Sequence, residues 1–209
     1  MSKKLKQSLE RIYEKEDPWN IKDNHYTNDK HKKVINLVKK NKPSRVLELG
    51  CGEGILAKEL APHIHYLEAI DISATAVKRA RKYCRDVKNV KFYCTDVADF
   101  TYQPNQYSMI IAMDVFSYII SDNTIFDLGL LVEKMIRSLK KNGKMIILNV
   151  TKVISPDGSR NELEYYDWAR KSYFTIIKEL GMIKESHRKY YGIKNNKPRE
   201  YEIIVFSKL

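Results

Sequence analysis

The sequence of 209 residues predicts an α/β fold, with helices on both faces of a seven-stranded, mostly parallel sheet. Short apolar segments alternate with helical segments along most of the chain, and nearly continuous apolar strands are typical of a parallel sheet covered on both faces. The last two predicted strands are joined by a turn at residues 194–198. Because this turn is too short for a parallel crossover, these strands are expected to form an antiparallel hairpin.

Length and composition limit the organisation of the chain. A chain of 209 residues can bury one sizeable core and is short for two, so we expect a single domain. A hydrophobic fraction of 43% and a formal charge of +12 describe a folded protein with a strongly basic surface. Such a surface favours anionic partners, including nucleic acid, phosphorylated metabolites and acidic membranes. A lysine-rich surface that is simply solvated is the alternative.

The N-terminal region is predicted to be helical. Leu5, Leu9 and Ile12 have helical spacing, which predicts a helix over residues 4–14. Pro18 ends it and leaves Trp19 in a loop, either as a hydrophobic plug or as a lid over a ligand. A second helix is predicted over residues 28–40, and its lysines are interpreted as a solvated face.

The remaining elements follow in order. A first strand begins at Arg45 and ends in a glycine turn at Gly50, and a helix from residue 55 is closed by Pro62. Gly143 is expected just after the C-terminus of the long helix. The other strands are predicted over residues 64–70, 90–95, 107–113, 144–150, 182–191 and 200–206. The other helices are predicted over residues 73–84, with Ser73 as N-cap, 123–141 and 162–180.

The glycine turn, Gly50-Cys51-Gly52-Glu53-Gly54, predicts a ligand site. Glycine has no Cβ, so backbone N–H groups can face a ligand closely, and the next helix contributes the positive end of its dipole. A dinucleotide fingerprint requires a glycine at the sixth position, where this chain has Ile55. The turn is not followed by a Walker lysine, which excludes a P-loop.

Three later predicted strands end in aspartates, namely Asp71, Asp96 and Asp114. In open parallel sheets, ligands bind outside the carboxyl ends of the strands near the point where strand order reverses. Each aspartate alone could cap the next helix. Together with the glycine turn they fit a nucleoside, with Asp71 at the ribose hydroxyls and Asp96 at an exocyclic amine.

These motifs resemble those of class I S-adenosylmethionine-dependent methyltransferases. The segments that carry the resemblance are Val46–Gly54, Ala69–Ser73, Thr95–Val97, Ile110–Asp114 and Asn142–Lys144. The resemblance implies the Rossmann-like fold of that family, with S-adenosyl-L-methionine as cofactor and S-adenosyl-L-homocysteine as product. It places Gly50, Cys51 and Gly52 against the methionine part and Asp71 at the ribose. It also places Ile72 and Val97 around the adenine, Met113 at the amino group and Glu48 behind the glycine turn.

A finer resemblance comes from Tyr13-Glu14, Asp17-Pro18-Trp19 and the helix that follows them. These features are similar to the nodulation N-methyltransferase group and its relatives that act on sugars. The resemblance implies an N-terminal helical lid over residues 1–42 and a methyltransferase core over 43–209. Tyr13 and Trp19 become lid residues, and Lys33 a partner for the cofactor carboxylate.

The acceptor is expected to be a small polar molecule, methylated on nitrogen or oxygen, such as a sugar or a phosphorylated saccharide precursor. Asp114 is the candidate base, with Tyr118, His25 and His187 as further candidates. Side chains of Tyr165, Tyr166 and Trp168 either wall the acceptor pocket or pack in the core. The alternatives are an RNA methyltransferase, although the Asn-Pro-Pro-Tyr/Phe motif of adenine-N6 enzymes is absent, and a non-catalytic binding protein of the same fold.

Cysteine usage bears on the compartment. The chain has an odd number of cysteines, and their spacing is not that of metal ligands, so neither a disulfide framework nor a metal site is expected. The three are Cys51, Cys84 and Cys94. A reducing cytoplasm fits this pattern. No apolar stretch approaches the length of a membrane span, and the sequence leaves the oligomeric state open.

Overall fold

A computed structural model describes residues 3–22, 24–122, 125–153, 164–194 and 197–209. The strands are β1 Arg45–Leu49, β2 Tyr66–Asp71, β3 Val90–Cys94, β4 Tyr107–Met113, β5 Leu139–Val153, β6 Met182–Lys194 and β7 Lys197–Lys208. They form one seven-stranded sheet in the order β3-β2-β1-β4-β5-β7-β6. The α-helices are α1 Lys3–Ile12, α2 His25–Asn41, α3 Ile55–Leu60, α4 Ala74–Tyr83, α5 Phe116–Asp122, α6 Ile125–Ser138 and α7 Glu164–Glu179. A 3-10 turn over Ala61–His63 follows α3.

The direction of strand pairing confirms the predicted fold class. β1 pairs in parallel with both β2 and β4, so the strand order reverses on either side of β1. β2 with β3 and β4 with β5 are also parallel, whereas β7 is antiparallel to both β5 and β6. The reversal at β1 creates the crevice in which open α/β sheets bind their ligands.

Alternate residues of the strands supply two separate apolar layers, because successive side chains point to opposite faces of a sheet. Leu47 and Ile147 pack with α5, α6 and α7 in one layer. Val46 and Ile146 pack with α2, α3 and α4 in the other. Both faces of the sheet are therefore covered, which agrees with the near-continuous apolar sequence of the strands.

The second helix begins three residues earlier than the sequence predicts. The side chain of Asn24 accepts hydrogen bonds from the N–H groups of Tyr26 and Thr27, at 3.0 and 3.4 Å, and so caps α2. At the other end, Lys42 adopts a left-handed conformation and its N–H donates to Val38 O at 2.8 Å. Pro43 follows and cannot continue the helix.

The structure differs in two ways from the single helix predicted over residues 123–141. The structure has a separate α5 that the sequence reading missed, and α6 ends at Ser138 rather than at residue 141. Asn105 and Gln106 donate to the terminal carbonyls Arg137 O and Ser138 O, at 3.0 and 2.8 Å, and so satisfy the end of the helix.

Gly143 is also not a helix cap, because it lies within β5. The left-handed residue there is Asn142, with φ +61°. A Cβ on Gly143 would lie 2.7 Å from Lys140 O, so glycine is needed for a close backbone approach.

Among the described residues, none of the helices has the length and apolar character needed to cross a bilayer. In the same part of the chain, no three His, Cys, Asp or Glu side chains gather as a metal site. The division into residues 1–42 and 43–209 stays a prediction.

Candidate active site

A cavity of about 670 Å³ opens at the carboxyl ends of β1, β2, β4 and β5. Its lining includes the glycine turn after β1, Asp71 at the end of β2, and Met113 and Asp114 where β4 ends. Because parallel strands bring their carboxyl ends to one edge, segments far apart in sequence meet here. The cavity therefore lies where the sequence places its ligand site.

The glycine turn is held against the end of β2. The N–H groups of Gly50 and Cys51 both donate to Ile70 O, at 2.9 and 3.0 Å. Gly50 and Gly52 have φ angles of +70° and +52°, in the region that favours glycine. A Cβ on Gly50 would lie 2.7 Å from Val115 Cγ2, and one on Gly52 would lie 2.9 Å from the Tyr13 hydroxyl oxygen. Side chains at these positions would thus collide with Val115 and Tyr13, which both line the cavity.

Asp71 connects the glycine turn to the start of α4. Its Oδ2 accepts from Gly52 N and its Oδ1 from Ser73 N, each at 2.9 Å. Ser73 Oγ accepts from Ala76 N at 3.1 Å, which confirms Ser73 as the N-cap. Burial raises the pKa of Asp71, against the opposing effect of these backbone donors. The carboxylate lines the cavity, where the sequence reading puts a ribose.

The residues predicted to contact the nucleoside base divide into two groups. Ile72, Val97 and Met113 all line the cavity. Asp96, although described, lies outside the lining, and its Oδ1 accepts from Ala98 N at 2.9 Å. Asp96 therefore caps a turn, not a helix as the capping alternative had it, and its contact with an exocyclic amine stays a prediction.

The N-terminal segment covers the glycine turn. Tyr13 is 6% exposed, and Trp19 Nε1 donates to its hydroxyl at 3.4 Å. Both aromatic side chains line the cavity, and their role as a lid stays a prediction. Burial, followed by the charge of Asp71, raises the pKa of Tyr13 and keeps its hydroxyl protonated.

Glu53 fixes this segment in place. Its Oε2 accepts from Asp17 N at 3.1 Å, and its Oε1 accepts from Arg79 Nη1 at 2.8 Å. The same guanidinium nitrogen donates to Lys15 O at 2.9 Å. The turn, α4 and the N-terminal segment are therefore joined through one carboxylate and one guanidinium.

Glu48 is a buried carboxyl group that lines the cavity. It is 3% exposed, and its Oε2 has no hydrogen-bond partner among the described residues. Burial, with smaller contributions from the charges of Asp71 and Glu59, raises the pKa of Glu48 to about 8. An unsatisfied polar atom of this kind suits a ligand that donates a hydrogen bond or carries positive charge.

Asp114 occupies a strained position immediately after β4. Its φ is +55°, which is unusual for a residue other than glycine, and its N–H donates to Leu148 O at 2.8 Å. Its Oδ2 forms an ion pair with Lys30, whereas its buried Oδ1 has no partner in the described chain. Residues with a strained backbone cluster at active sites and ligand sites, and Asp114 lines the cavity.

Lys30 corrects the interpretation of α2. Its side chain is only 3% exposed and lies over the ring of Tyr26, with the ammonium 5.1 Å from the ring centroid. It is therefore not part of a solvated face. Lys33, by contrast, lies outside the cavity lining, forms an ion pair with Asp29 and stacks on Tyr190 at 4.6 Å. The geometry gives no support to Lys33 as the partner of a cofactor carboxylate.

The other candidate bases differ in whether they line the cavity. Tyr118 lines the cavity, whereas His25 and His187 lie outside its lining, and His187 Nε2 is 2.7 Å from Glu202 Oε2. The side chains of Tyr165, Tyr166 and Trp168 lie outside the described residues.

Sequence reasoning missed several lining residues. Asn149 lies in the strand β5, and its Nδ2 donates to Tyr173 Oη at 2.8 Å. The rule that selects Asp71 and Asp114 at strand ends could have found it. Lys30, Lys194 and Arg199 also line the cavity, but no local pattern marks them.

Comparison with known proteins defines the class. A family model described as a methyltransferase domain matches residues 40–197. The chain therefore belongs to the methyltransferase domain family, of the class I S-adenosylmethionine-dependent type. This confirms the predicted family, enzyme class and cofactor.

Sequence similarity relates the chain to particular proteins, which include a nodulation protein and an O-methyltransferase. The chain is 25% identical over 139 residues to nodulation protein S of Sinorhizobium fredii, covering 66% of this chain and 62% of that protein. It is 26% identical over 109 residues to a ubiquinone biosynthesis O-methyltransferase of Coxiella burnetii, covering 50% and 47% of the two chains. The alignment thus spans about three fifths of the nodulation protein and half of the other.

A solved structure shows the same fold across the chain. The crystal structure of the N-methyltransferase NodS from Bradyrhizobium japonicum, in complex with S-adenosyl-L-homocysteine, matches with a TM-score of 0.78 and 20% identity. The match covers 98% of both chains, including the N-terminal segment. This likeness confirms the fold and leaves the acceptor open.

Proposed function

We propose that this protein transfers the methyl group of S-adenosyl-L-methionine to a nitrogen or oxygen atom of a small polar acceptor such as a sugar. The observation that carries the proposal is that one cavity is lined both by the glycine turn with Asp71 and by Asp114 with its unpaired Oδ1. The first group fits a cofactor and the second fits an acceptor. NodS, whose structure this chain resembles, is an N-methyltransferase, which favours an amine as the acceptor group.

The residues present fit the cofactor. At Gly50 and Gly52 a Cβ would clash with Val115 and Tyr13, so only glycine leaves the turn free to face a ligand. The Glu48 Oε2 atom, which has no partner among the described residues, can accept a hydrogen bond from an amino group. Ile72 and Val97 provide apolar walls for a base. We assign Gly50, Cys51, Gly52 and Glu48 to the amino-acid part and Asp71 to the ribose.

The bound cofactor supplies an activated methyl group, so the protein must mainly orient the acceptor and exclude water, contributions that reach roughly 7–11 kcal/mol in favourable systems. Asp114 Oδ1 is placed to accept a hydrogen bond from the acceptor N–H or O–H. Lys30, paired to Oδ2, fixes that carboxylate and balances its charge. Tyr13 and Trp19 cover the glycine turn and limit the entry of water.

Calorimetry with S-adenosyl-L-homocysteine tests the cofactor site. We expect the wild-type protein to bind, and Asp71→Ala to bind at least about tenfold more weakly, the effect of losing roughly one to two hydrogen bonds in the site. The matched control is Asp86→Ala, because Asp86 is exposed and pairs with Lys58 on the surface. Urea unfolding of both variants shows whether the loss is local. Equal binding by wild type and Asp71→Ala would contradict the assignment.

The acceptor side requires a separate measurement. Methyl-labelled cofactor is supplied with matched acceptors that differ at one position, for example glucosamine and glucose, and with extracted RNA. We expect label in a small-molecule acceptor, and we expect Asp114→Asn to lower turnover while affinity for S-adenosyl-L-homocysteine is retained. Label in RNA alone would exclude the small-molecule proposal.

A further inference from the structure

Three cationic side chains from different elements converge on the cavity. Lys30 comes from α2, Lys194 from the end of β6 and Arg199 from β7, and all three line the cavity beside Asp114. We call them the cationic cluster. Lys30, Asp114 and Arg199 are close enough to shift the pKa of Lys194, so the cluster is one electrostatic group.

Carboxylates of the described residues neutralise only part of this cluster. Asp114 pairs with Lys30. Within the described part of the chain, neither Lys194 nor Arg199 forms an ion pair, and the buried Arg199 Nε has no hydrogen-bond partner. The charge of Asp17 also acts to raise the pKa of Lys194, but the Asp17 carboxylate already accepts hydrogen bonds from Ile21 N at 2.7 Å and Lys22 N at 3.1 Å.

Such an arrangement is costly without an anion. Burial lowers the pKa of Lys194, and the charges of Lys30 and Arg199 lower it further. A partly buried cation without a counter-ion destabilises the folded protein, so a site that keeps two of them facing a cavity is suited to an anionic ligand.

We propose that the methyl acceptor carries a phosphate monoester, and that Lys194 and Arg199 bind it beside Asp114. This inference rests on the proposed function, because it names the substrate class of that site. A phosphate monoester carries about −1.5 to −2 charges at pH 7, which matches the two cations that Asp114 leaves unpaired. The planar guanidinium of Arg199 offers paired N–H donors to two phosphate oxygens. Asp114 Oδ1 remains available for the reacting N–H or O–H.

The experiment titrates inorganic phosphate into protein saturated with S-adenosyl-L-homocysteine, at constant ionic strength, and follows ³¹P line width and heat. We expect saturable binding to the wild type and at least about tenfold weaker binding to Arg199→Gln and to Lys194→Gln, as for loss of one charged hydrogen-bonding partner. The matched controls are Arg188→Gln and Lys184→Gln, which remove exposed charges from the same hairpin. We expect these controls to bind phosphate like the wild type.

Three results would overturn the inference. One is phosphate affinity in Arg199→Gln and Lys194→Gln equal to that of the wild type. Another is acetate binding as tightly as phosphate, which would identify a general carboxylate site. The third is an equal loss of S-adenosyl-L-homocysteine affinity in Arg199→Gln, which would assign the cluster to the cofactor carboxylate.

The outcomes separate this inference from the proposed function. If S-adenosyl-L-homocysteine does not bind the wild type, the proposed function fails, and phosphate titration of the cofactor-free protein still tests the cluster. If the cofactor product binds and phosphate does not, only the phosphate assignment fails. Urea unfolding of Arg199→Gln and Lys194→Gln shows that a loss of binding comes from folded protein.

Discussion

The buried carboxyl group of Glu48 makes the stability of this protein depend on pH in a way that Glu48→Gln should remove. Glutamine keeps the shape of the side chain and cannot ionise. In the folded protein the pKa of Glu48 is raised from 4.5 to about 8, mainly by burial. Between these values the folded state keeps a proton that the unfolded state releases, so stability falls as pH rises and is level above about pH 8.

The size of the effect follows from the two pKa values. A shift from 4.5 to about 8 corresponds to about 5 kcal/mol in total, at about 1.4 kcal/mol per pH unit. This is an upper limit, because water in the cavity screens the charge. Between pH 6 and pH 8 the wild type should lose up to about 3 kcal/mol relative to Glu48→Gln.

The assay is urea unfolding of both proteins at intervals from pH 6 to pH 8, without cofactor. The quantity compared is the difference between the two free energies of unfolding, in which the effects of other titrating groups largely cancel. A difference that stays constant within about 0.5 kcal/mol over this range would refute the conclusion that Glu48 is held neutral.

Glu68, on β2, provides a control because its pKa is lowered whereas that of Glu48 is raised. Burial acts to raise its pKa, but hydrogen bonds from Tyr107, Tyr93 and Arg45 hold the pKa below its usual value. Its contribution to stability is therefore present above pH 4.5 and lost only as pH falls further. Glu68→Gln should destabilise the protein by the same amount at pH 6 and pH 8.

Two further substitutions test the glycine turn and the segment above it. Gly52→Ala places a Cβ against the Tyr13 hydroxyl at a φ of +52°, and should weaken S-adenosyl-L-homocysteine binding about tenfold or more, as expected from roughly 1–2 kcal/mol of strain plus a displaced lid. Arg79→Gln removes the donor to Glu53 and Lys15 O, and should speed trypsin cleavage after Lys15 roughly tenfold, since a charged hydrogen bond contributes about 1.5–3 kcal/mol.

Matched variants separate these effects from general destabilisation. Among the described residues, a Cβ on Gly129 in α6 meets no heavy atom within 4 Å beyond its chain neighbours and its own helix backbone, so Gly129→Ala should bind S-adenosyl-L-homocysteine like the wild type. Arg81 lies on the same helix as Arg79 and donates to Phe92 O at 2.8 Å. Arg81→Gln should leave cleavage after Lys15 unchanged. Unchanged cleavage in Arg79→Gln would show that other contacts hold the segment.

The missed α5 shows where sequence periodicity fails. Its buried residues Phe116 and Ile119 have helical spacing, but the segment has seven residues and follows a strand directly. A short apolar run does not distinguish a buried helix from a loop packed on the core. The early end of α6 depends on donors from Asn105 and Gln106, which are more than 30 positions away from the carbonyls they satisfy.

Lys30 shows that local sequence also fails to predict the surroundings of a side chain in the site. Its neighbours on α2 are charged, and the local pattern predicts a solvated side chain. The structure instead buries it against Asp114, 84 residues away in sequence. Nothing in the residues around Lys30 encodes that contact, because it depends on where α2 lies relative to the end of β4.

The sequence by itself determined the α/β class, the position of the glycine turn and the ligand-binding edge of the sheet. These features depend on local chemistry: apolar strands, glycines that allow positive φ, and polar residues at strand ends. Only the tertiary structure decided that Lys33 lies outside the cavity lining and that Lys30, Lys194 and Arg199 meet there. Their charges act through space, so their partners are set by the packing of α2 and the C-terminal hairpin against the sheet rather than by neighbours in sequence.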